Sequence, residues 1–242
     1  MKARLLARQP DGLRPQIMHH RWESLLFLHW RLPPERIQAT LPPGLTVDTY
    51  AGDAYLGLTV FFMRQVRPVG LPALPWISNF QELNVRSYVY DREGIPGIWF
   101  YSLDCNQPVA VAGARALIGL PYKHAEMTAC TNEYIGYSCR RHGAKNIAHY
   151  RYRGIGKAEA PAGPGTLQFF LLERYYLYAV RHKSLIRAQV SHQPYLTRAA
   201  DAPLISALPA RLDGFGDIGD TAEHLCYVDG LKVKVFGSYK YR

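Results

Sequence analysis

The segment 80-FQELNVRSYVY-90 changes chemistry with a period of two. Phe80, Glu82, Asn84, Arg86 and Tyr88 fall on one side, and Gln81, Leu83, Val85, Ser87 and Val89 on the other. Successive side chains of a β-strand point to opposite faces, so the pattern predicts a strand. Its second face is mainly apolar and suited to a core. Its first face gathers a carboxylate, an amide and a guanidinium between aromatic rings. Facing solvent, those groups carry no information. Facing the inside of a closed sheet, they must be paired or must surround a ligand space. A buried Glu82–Arg86 set is then either a structural network or a substrate grip.

The flanking sequence extends the β reading. A turn, 91-DREGIPG-97, leads to 98-IWFYSLDC-105, a second strand. Upstream, 46-TVDTYAGDAYLGLTVFFMRQV-66 holds two β-rich runs around a Gly-Asp turn. Links this short favour antiparallel pairing. The run 22-WESLLFLHWRL-32 is apolar enough for a buried strand or a short buried helix, and periodicity does not separate them. A short helix is predicted within 33-PPERIQATLPPGL-45, with Pro34 at its start and Pro42-Pro43-Gly44 ending it. Pro108 opens a second helix that Gly119 closes, with Pro121 just beyond.

Further strands are expected in 127–141, 147–153 and 185–196. Within 166–180 a helix to about Glu173 precedes a strand, and 203–212 forms a short helix. A terminal hairpin turns at Asp229-Gly230. Residues 1–15, broken by Pro10, Gly12 and Pro15, form a loose arm before one domain at 16–242. The expected class is mainly β (α+β): a β-barrel or sandwich carrying a few short helices.

Composition narrows the function. The 242 residues are 48% hydrophobic and 12% aromatic, with 17 tyrosines, enough for a sizeable core with half-wet cavities. The net charge of +10 admits an anionic partner, but its basic residues do not concentrate. No nucleic-acid-binding signature accompanies them, and no apolar run is long enough to span a membrane. Cys105, Cys130, Cys139 and Cys226 form no CxxC, and few cysteines without a secretory signal suggest a reducing, cytoplasmic setting. The nine histidines show no HxxxH or HExxH spacing, so no metal is expected. No nucleotide or cofactor motif is present, and 154-GIGKAEAPAGPG-165 lacks the context of a dinucleotide loop. In 173-ERYYLYAVRHK-183, Tyr176 and Tyr178 share a strand face, and Arg174 needs a carboxylate partner.

One stretch, 119-GLPYKHAEM-127, places a lysine just past a turn. Lys123 is either a catalytic amine or a solvated charge, since a nucleophilic lysine needs desolvation or a neighbouring cation to lose its proton.

The segments 22–30, 41–63, 78–89, 99–104, 113–127, 172–179 and 188–195 together resemble the YqjF-like family of bacterial proteins. That family is similar to the acetoacetate decarboxylase superfamily. The resemblance implies a single domain with an antiparallel β-barrel-like core around a cavity. In the decarboxylase a helix leads into a turn whose first lysine forms a Schiff base and whose second lowers its pKa. Here 115-RALIGLPYK-123 resembles that segment. Arg115, Gly119 and Pro121 match the pattern, and Lys123 falls at the second lysine. Tyr122 stands in the Schiff-base lysine's place, and Ala116 stands where the decarboxylase has a glutamate.

A phenol forms no imine, and adjacent residues of an extended segment face opposite ways. The reading is therefore a polar cavity for a small anionic or carbonyl-bearing metabolite. Asn84, Arg86, Tyr88 and Arg115 are its binding residues, and Glu82, Tyr122 and Lys123 its candidate acid/base groups. A non-catalytic binding protein and a Lys123 decarboxylase are the alternatives. A homo-oligomer is compatible with the same sequence.

Overall fold

The computed structural model describes residues 2–117 and 119–240. Helix α1 (Lys2–Leu6) precedes a long strand, β1 (Gln16–Leu32), so the ambiguous 22–32 run is a strand. Then come α2 (Pro34–Gln38), β2 (Leu45–Val47), β3 (Ala54–Pro68), β4 (Phe80–Asp91) and β5 (Pro96–Cys105). Helix α3 (Pro108–Leu117) crosses to β6 (Tyr122–Thr131), followed by β7 (Ile135–Arg141) and β8 (Ala148–Ile155). The remainder is α4 (Leu167–Leu172), β9 (Tyr176–Arg181), β10 (Ser184–His192), β11 (Thr197–Leu204), α5 (Leu208–Ala210), β12 (His224–Phe236) and β13 (Tyr239–Lys240). A π turn, Arg211–Phe215, extends α5. Thr166 caps α4, its Oγ1 accepting from the Phe169 amide at 3.2 Å. No helix among the described residues is long and apolar enough to cross a membrane.

The strands form one 13-stranded sheet whose extra pairings, β10–β12 and β5–β4, close it into two rings. Both rings share the wall β12-β1-β3-β4-β5. One closes through β6, β7, β8 and β11, the other through β9 and β10. Most pairs are antiparallel, as the short links predict. The exceptions are β5–β6 and β5–β9, which are parallel. The α3 crossover leads into the first of these and sets the start of β6 beside the last three residues of β5, Leu103 to Cys105.

Strand β4 shows how the shared wall works. Leu83 and Val85 pack with Leu26, Leu28, Leu58 and Val60 and with tyrosines of β7 and β8. Phe80 and Tyr88 pack on the opposite face with Phe27, Phe61, Phe100 and Tyr122. Each face of β4 thus meets its own core, so both halves of the alternation are buried.

Two β-bulges change the alternation elsewhere. Ser24 (φ 54°) and Gln65 (φ 50°) adopt left-handed backbone beside register shifts between β1 and β3. One face of β1 consequently runs Met18, His20, Trp22, then Leu25 and Phe27. The matching face of β3 runs Thr59, Phe61, Met63, then Val66 and Pro68.

Two sequence expectations need correction. Asp229-Gly230 is no hairpin turn, because β12 runs straight through it and pairs with β1 from His224 to Phe236. Gly230 lies opposite Glu23, where an added Cβ would sit 2.7 Å from the Trp22 carbonyl oxygen. The glycine serves close backbone approach at the bulge. The described part of the 1–15 segment, residues 2–15, also differs from a loose arm. Arg4 meets Asp48 at 2.6 Å, Arg8 meets Glu173 at 3.0 Å, and Gln189 Nε2 donates to the carbonyls of Ala7 and Gln9.

Candidate functional site

The ring closed by β9 and β10 encloses a cavity of about 350 Å³. Strand register lays out its long axis. Arg86, Asn84, Glu82 and Phe80 on β4 sit opposite Gly57, Thr59, Phe61 and Met63 on β3. At about 3.4 Å per residue, Arg86 and Glu82 lie roughly 14 Å apart along the strand. The cavity's inner end holds Arg86, Phe27, Arg174 and Tyr195, all buried. Glu82 and Tyr122 stand midway. The mouth lies between β1, β3 and α3.

Arg86 is the anomaly at the inner end. Its residue is 6% exposed, it forms no ion pair among the described residues, and its Nε has no hydrogen-bond partner. Its neighbours are the rings of Phe27 and Tyr88, 5.2 and 5.9 Å from the guanidinium carbon. Gly57 makes room for it, since a Cβ there would come within 2.8 Å of the Tyr88 hydroxyl and 3.3 Å of Arg86 Cγ. Arg174, by contrast, is paired. Its Nη1 meets Asp48 at 2.7 Å and its Nε donates to the Phe170 carbonyl at 2.8 Å, while Nη2 is unpartnered. Burial pulls Arg174 down to about 10, which leaves it cationic at neutral pH. Asn84 Oδ1 and Thr59 Oγ1 also line the cavity without partners.

Midway, the Tyr122 hydroxyl donates to Glu82 Oε2 at 2.8 Å. Burial raises the Glu82 carboxyl to about 7, against the hydrogen bonds from Tyr122 and Asn84 that favour its ionised form. Burial, followed by the Glu82 charge, pushes the Tyr122 phenol well above its ordinary value. The phenol therefore stays a neutral donor while the carboxyl titrates near neutrality.

The expected site residues divide. Glu82, Asn84, Arg86 and Tyr122 line one cavity. Lys123, next to Tyr122 on β6, is exposed and points the other way, so it does not supply an amine to this space. Arg115 also stays outside, its exposed side chain folding back so that Nε donates to the Tyr122 carbonyl at 2.7 Å. Tyr88 lies behind Arg86. Its hydroxyl is 2.7 Å from His29 Nε2, and His29 Nδ1 is 3.0 Å from His224 Nδ1, a hydrogen-bonded chain leading toward the surface. Glu82 and Arg86 form no ion pair, their spacing along β4 being too long for one. The lining is also more apolar than the polar face of β4 alone implies. Sequence reasoning missed Arg174 as a cavity residue, along with Thr59, Tyr195, His20 and the α3 face.

These features can be set beside known proteins. A model of the DUF2071 family, described as an uncharacterised conserved protein, matches residues 19–232. The chain belongs to this family. The uncharacterised protein YqjF of Bacillus subtilis strain 168 is 37% identical over 197 residues, 81% of this chain and 80% of that one. Solved structures of similar fold include the enduracididine biosynthesis enzyme MppR, in complex with the condensation product of pyruvate and imidazole 4-carboxaldehyde. It has a TM-score of 0.65 at 15% identity, covering 94% of this chain and 90% of that one. An acetoacetate decarboxylase-like enzyme from Sphingomonas wittichii RW1 gives 0.62 at 18% identity, covering 97% and 96%. The acetoacetate decarboxylase of Legionella pneumophila gives 0.61 at 13% identity, covering 97% and 91%. At these identities the likeness is one of fold, and it gives this DUF2071 member the acetoacetate-decarboxylase-like architecture. Lysine is absent from the cavity lining among the described residues.

Proposed function

We propose that this protein binds a small carboxylate-bearing metabolite, with Arg86 gripping the carboxylate and the Glu82–Tyr122 pair handling a proton on the bound molecule. The observation that carries the reading is the buried Arg86 guanidinium, which has no ion-pair partner among the described residues and an unpartnered Nε, in a mostly apolar cavity. An uncompensated buried charge costs several kcal/mol, and an anionic ligand offsets that cost with bidentate hydrogen bonds. That a fold neighbour was solved with pyruvate supports the same ligand chemistry.

Glu82 supports the second half of the reading. A carboxyl raised to about 7 is present in both protonation states near neutral pH, which suits general acid–base work. Tyr122 is a hydrogen-bond donor beside it, able to hold a carbonyl or hydroxyl oxygen of the ligand. Covalent capture of a carbonyl through an imine has no lysine amine to start from among the described residues lining this cavity, and Lys123 faces away.

Arg86→Met tests the grip. Removing an unpaired buried charge stabilises the ligand-free protein, so its melting temperature should rise or hold while carboxylate-induced melting shifts disappear. A purely structural Arg86 gives the reverse pair of results, with lower stability and unchanged shifts, and that outcome removes it from the site.

A further inference from the structure

The cavity is polarised along its length, and this narrows the ligand class. This step rests on the carboxylate reading above. The inner end is cationic and buried. The mouth is built from Ile17, Val66, Ile77, Val109, Ala110 and Gly113. These are half-buried or exposed, Val109 being 47% and Ile17 36% exposed. Toward the mouth, the polar atoms among the described residues are few. His20 and Trp22 contribute ring nitrogens without partners. Burial, with help from His19, holds His20 at about 4, so it adds no charge at neutral pH.

Size points the same way. A cavity of about 350 Å³ has room for about a dozen water-sized groups at ~30 Å³ each. A keto acid as small as pyruvate fills only about a third of that space and leaves the apolar part wetted by water it cannot hold well.

We infer that the ligand is an amphipathic carboxylic acid, its carboxylate inward at Arg86 and an extended apolar body running past Glu82 and Tyr122 to the mouth at α3. Gly113 sets the length accepted. It sits on the mouth face of α3, and an added Cβ there meets nothing within 4 Å. A larger side chain at 113 therefore enters empty cavity space without disturbing the packed protein, and replacing a helical glycine favours the helix.

The test is calorimetric titration of the full chain with butyrate, octanoate, dodecanoate and pyruvate, on the wild type and the Gly113→Leu and Arg86→Met variants. Each methylene buried on binding tightens it by about fourfold, so octanoate should exceed butyrate by on the order of 100-fold. Pyruvate should bind in the butyrate range. Gly113→Leu should lose most of the dodecanoate advantage and keep butyrate affinity, with an unchanged or raised melting temperature. Arg86→Met should weaken every acid. Equal affinities across the series, still lost in Arg86→Met, overturn the amphipathic ligand and leave the carboxylate site standing. If no acid binds the wild type, the carboxylate site fails and this inference fails with it. Dodecanoate affinity untouched by Gly113→Leu overturns the placement of the body at α3. A melting temperature check on each variant excludes unfolding, and Gly113→Ala supplies a smaller step should leucine disturb α3.

Discussion

Replacing Glu82 by glutamine tests the electrostatics of the cavity without any ligand. Glutamine keeps the volume and an acceptor for the Tyr122 hydroxyl, and removes the ionisable proton. In the wild type the folded carboxyl titrates near 7, against an ordinary value of 4.5. Between those values the folded protein holds a proton that the unfolded chain has released. Folding stability therefore falls as pH rises through this window and levels off above the folded value. A gap of about two and a half pH units, at about 1.4 kcal/mol each, amounts to about 3 kcal/mol. The residue is 4% exposed, so solvent screening takes little from this figure.

The assay is urea denaturation of both proteins at half-unit steps from pH 4.5 to 8.5. Other groups contribute equally to both curves and cancel in the difference. The glutamine variant should gain on the wild type by about 3 kcal/mol between pH 4.5 and pH 8, mostly between 5 and 7. Parallel profiles would mean that Glu82 titrates at its ordinary value. The acid–base half of the proposed function would then lose its basis.

Other substitutions probe separate parts of the structure. Tyr122→Phe removes the donor to Glu82, and should cost about 1 kcal/mol at pH 5 and about 2 kcal/mol at pH 8, where the lost bond is to a charged acceptor. Equal costs at the two pH values in denaturant titrations would place the Glu82 charge elsewhere. Lys123→Ala should leave both the melting temperature and carboxylate-induced shifts unchanged. A lost shift would return that lysine to the site. Gly230→Ala should destabilise by about 1–3 kcal/mol in urea unfolding, because its Cβ meets the Trp22 carbonyl at 2.7 Å. A neutral result would contradict the tight backbone approach at the β1 bulge.

Strand β4 was legible because both of its faces are buried, so each half of its alternation reports a real contact. Tyr122 and Lys123 were legible for the same reason, as neighbours on a strand must separate. Three features were not. The bulges at Ser24 and Gln65 put non-glycine residues at positive φ, which no residue type there announces. Asp229-Gly230 has the composition of a turn, yet glycine answers equally to a backbone passing close by. Arg174 lies between α4 and β9, outside any periodic run, so its place in the cavity depends on ring closure through β9 and β10. Arg115 was assigned from the resemblance of 115–123 to the decarboxylase turn. Its Nε donates to the Tyr122 carbonyl at 2.7 Å, and the side chain stays outside the cavity.

Tyrosine at 122 changes which reactions this architecture can support. A lysine placed beside Glu82 would sit within reach of a buried carboxylate. The two would share charge as an ion pair, and the amine would need a further cation to become nucleophilic. With tyrosine, the pair is neutral below about pH 7, because burial raises both the carboxyl and the phenol. A neutral pair is cheap to bury in an apolar mid-section, and leaves Arg86 as the unmatched charge of the cavity. On the proposed function, the anion's place is then at the inner end, and the atoms beside Glu82 and Tyr122 would belong to the ligand's body. Under that proposal the chemistry at that point would be proton transfer to or from a polarised carbon or oxygen of the ligand, set back from the carboxylate by the spacing of Arg86 and Glu82 along β4.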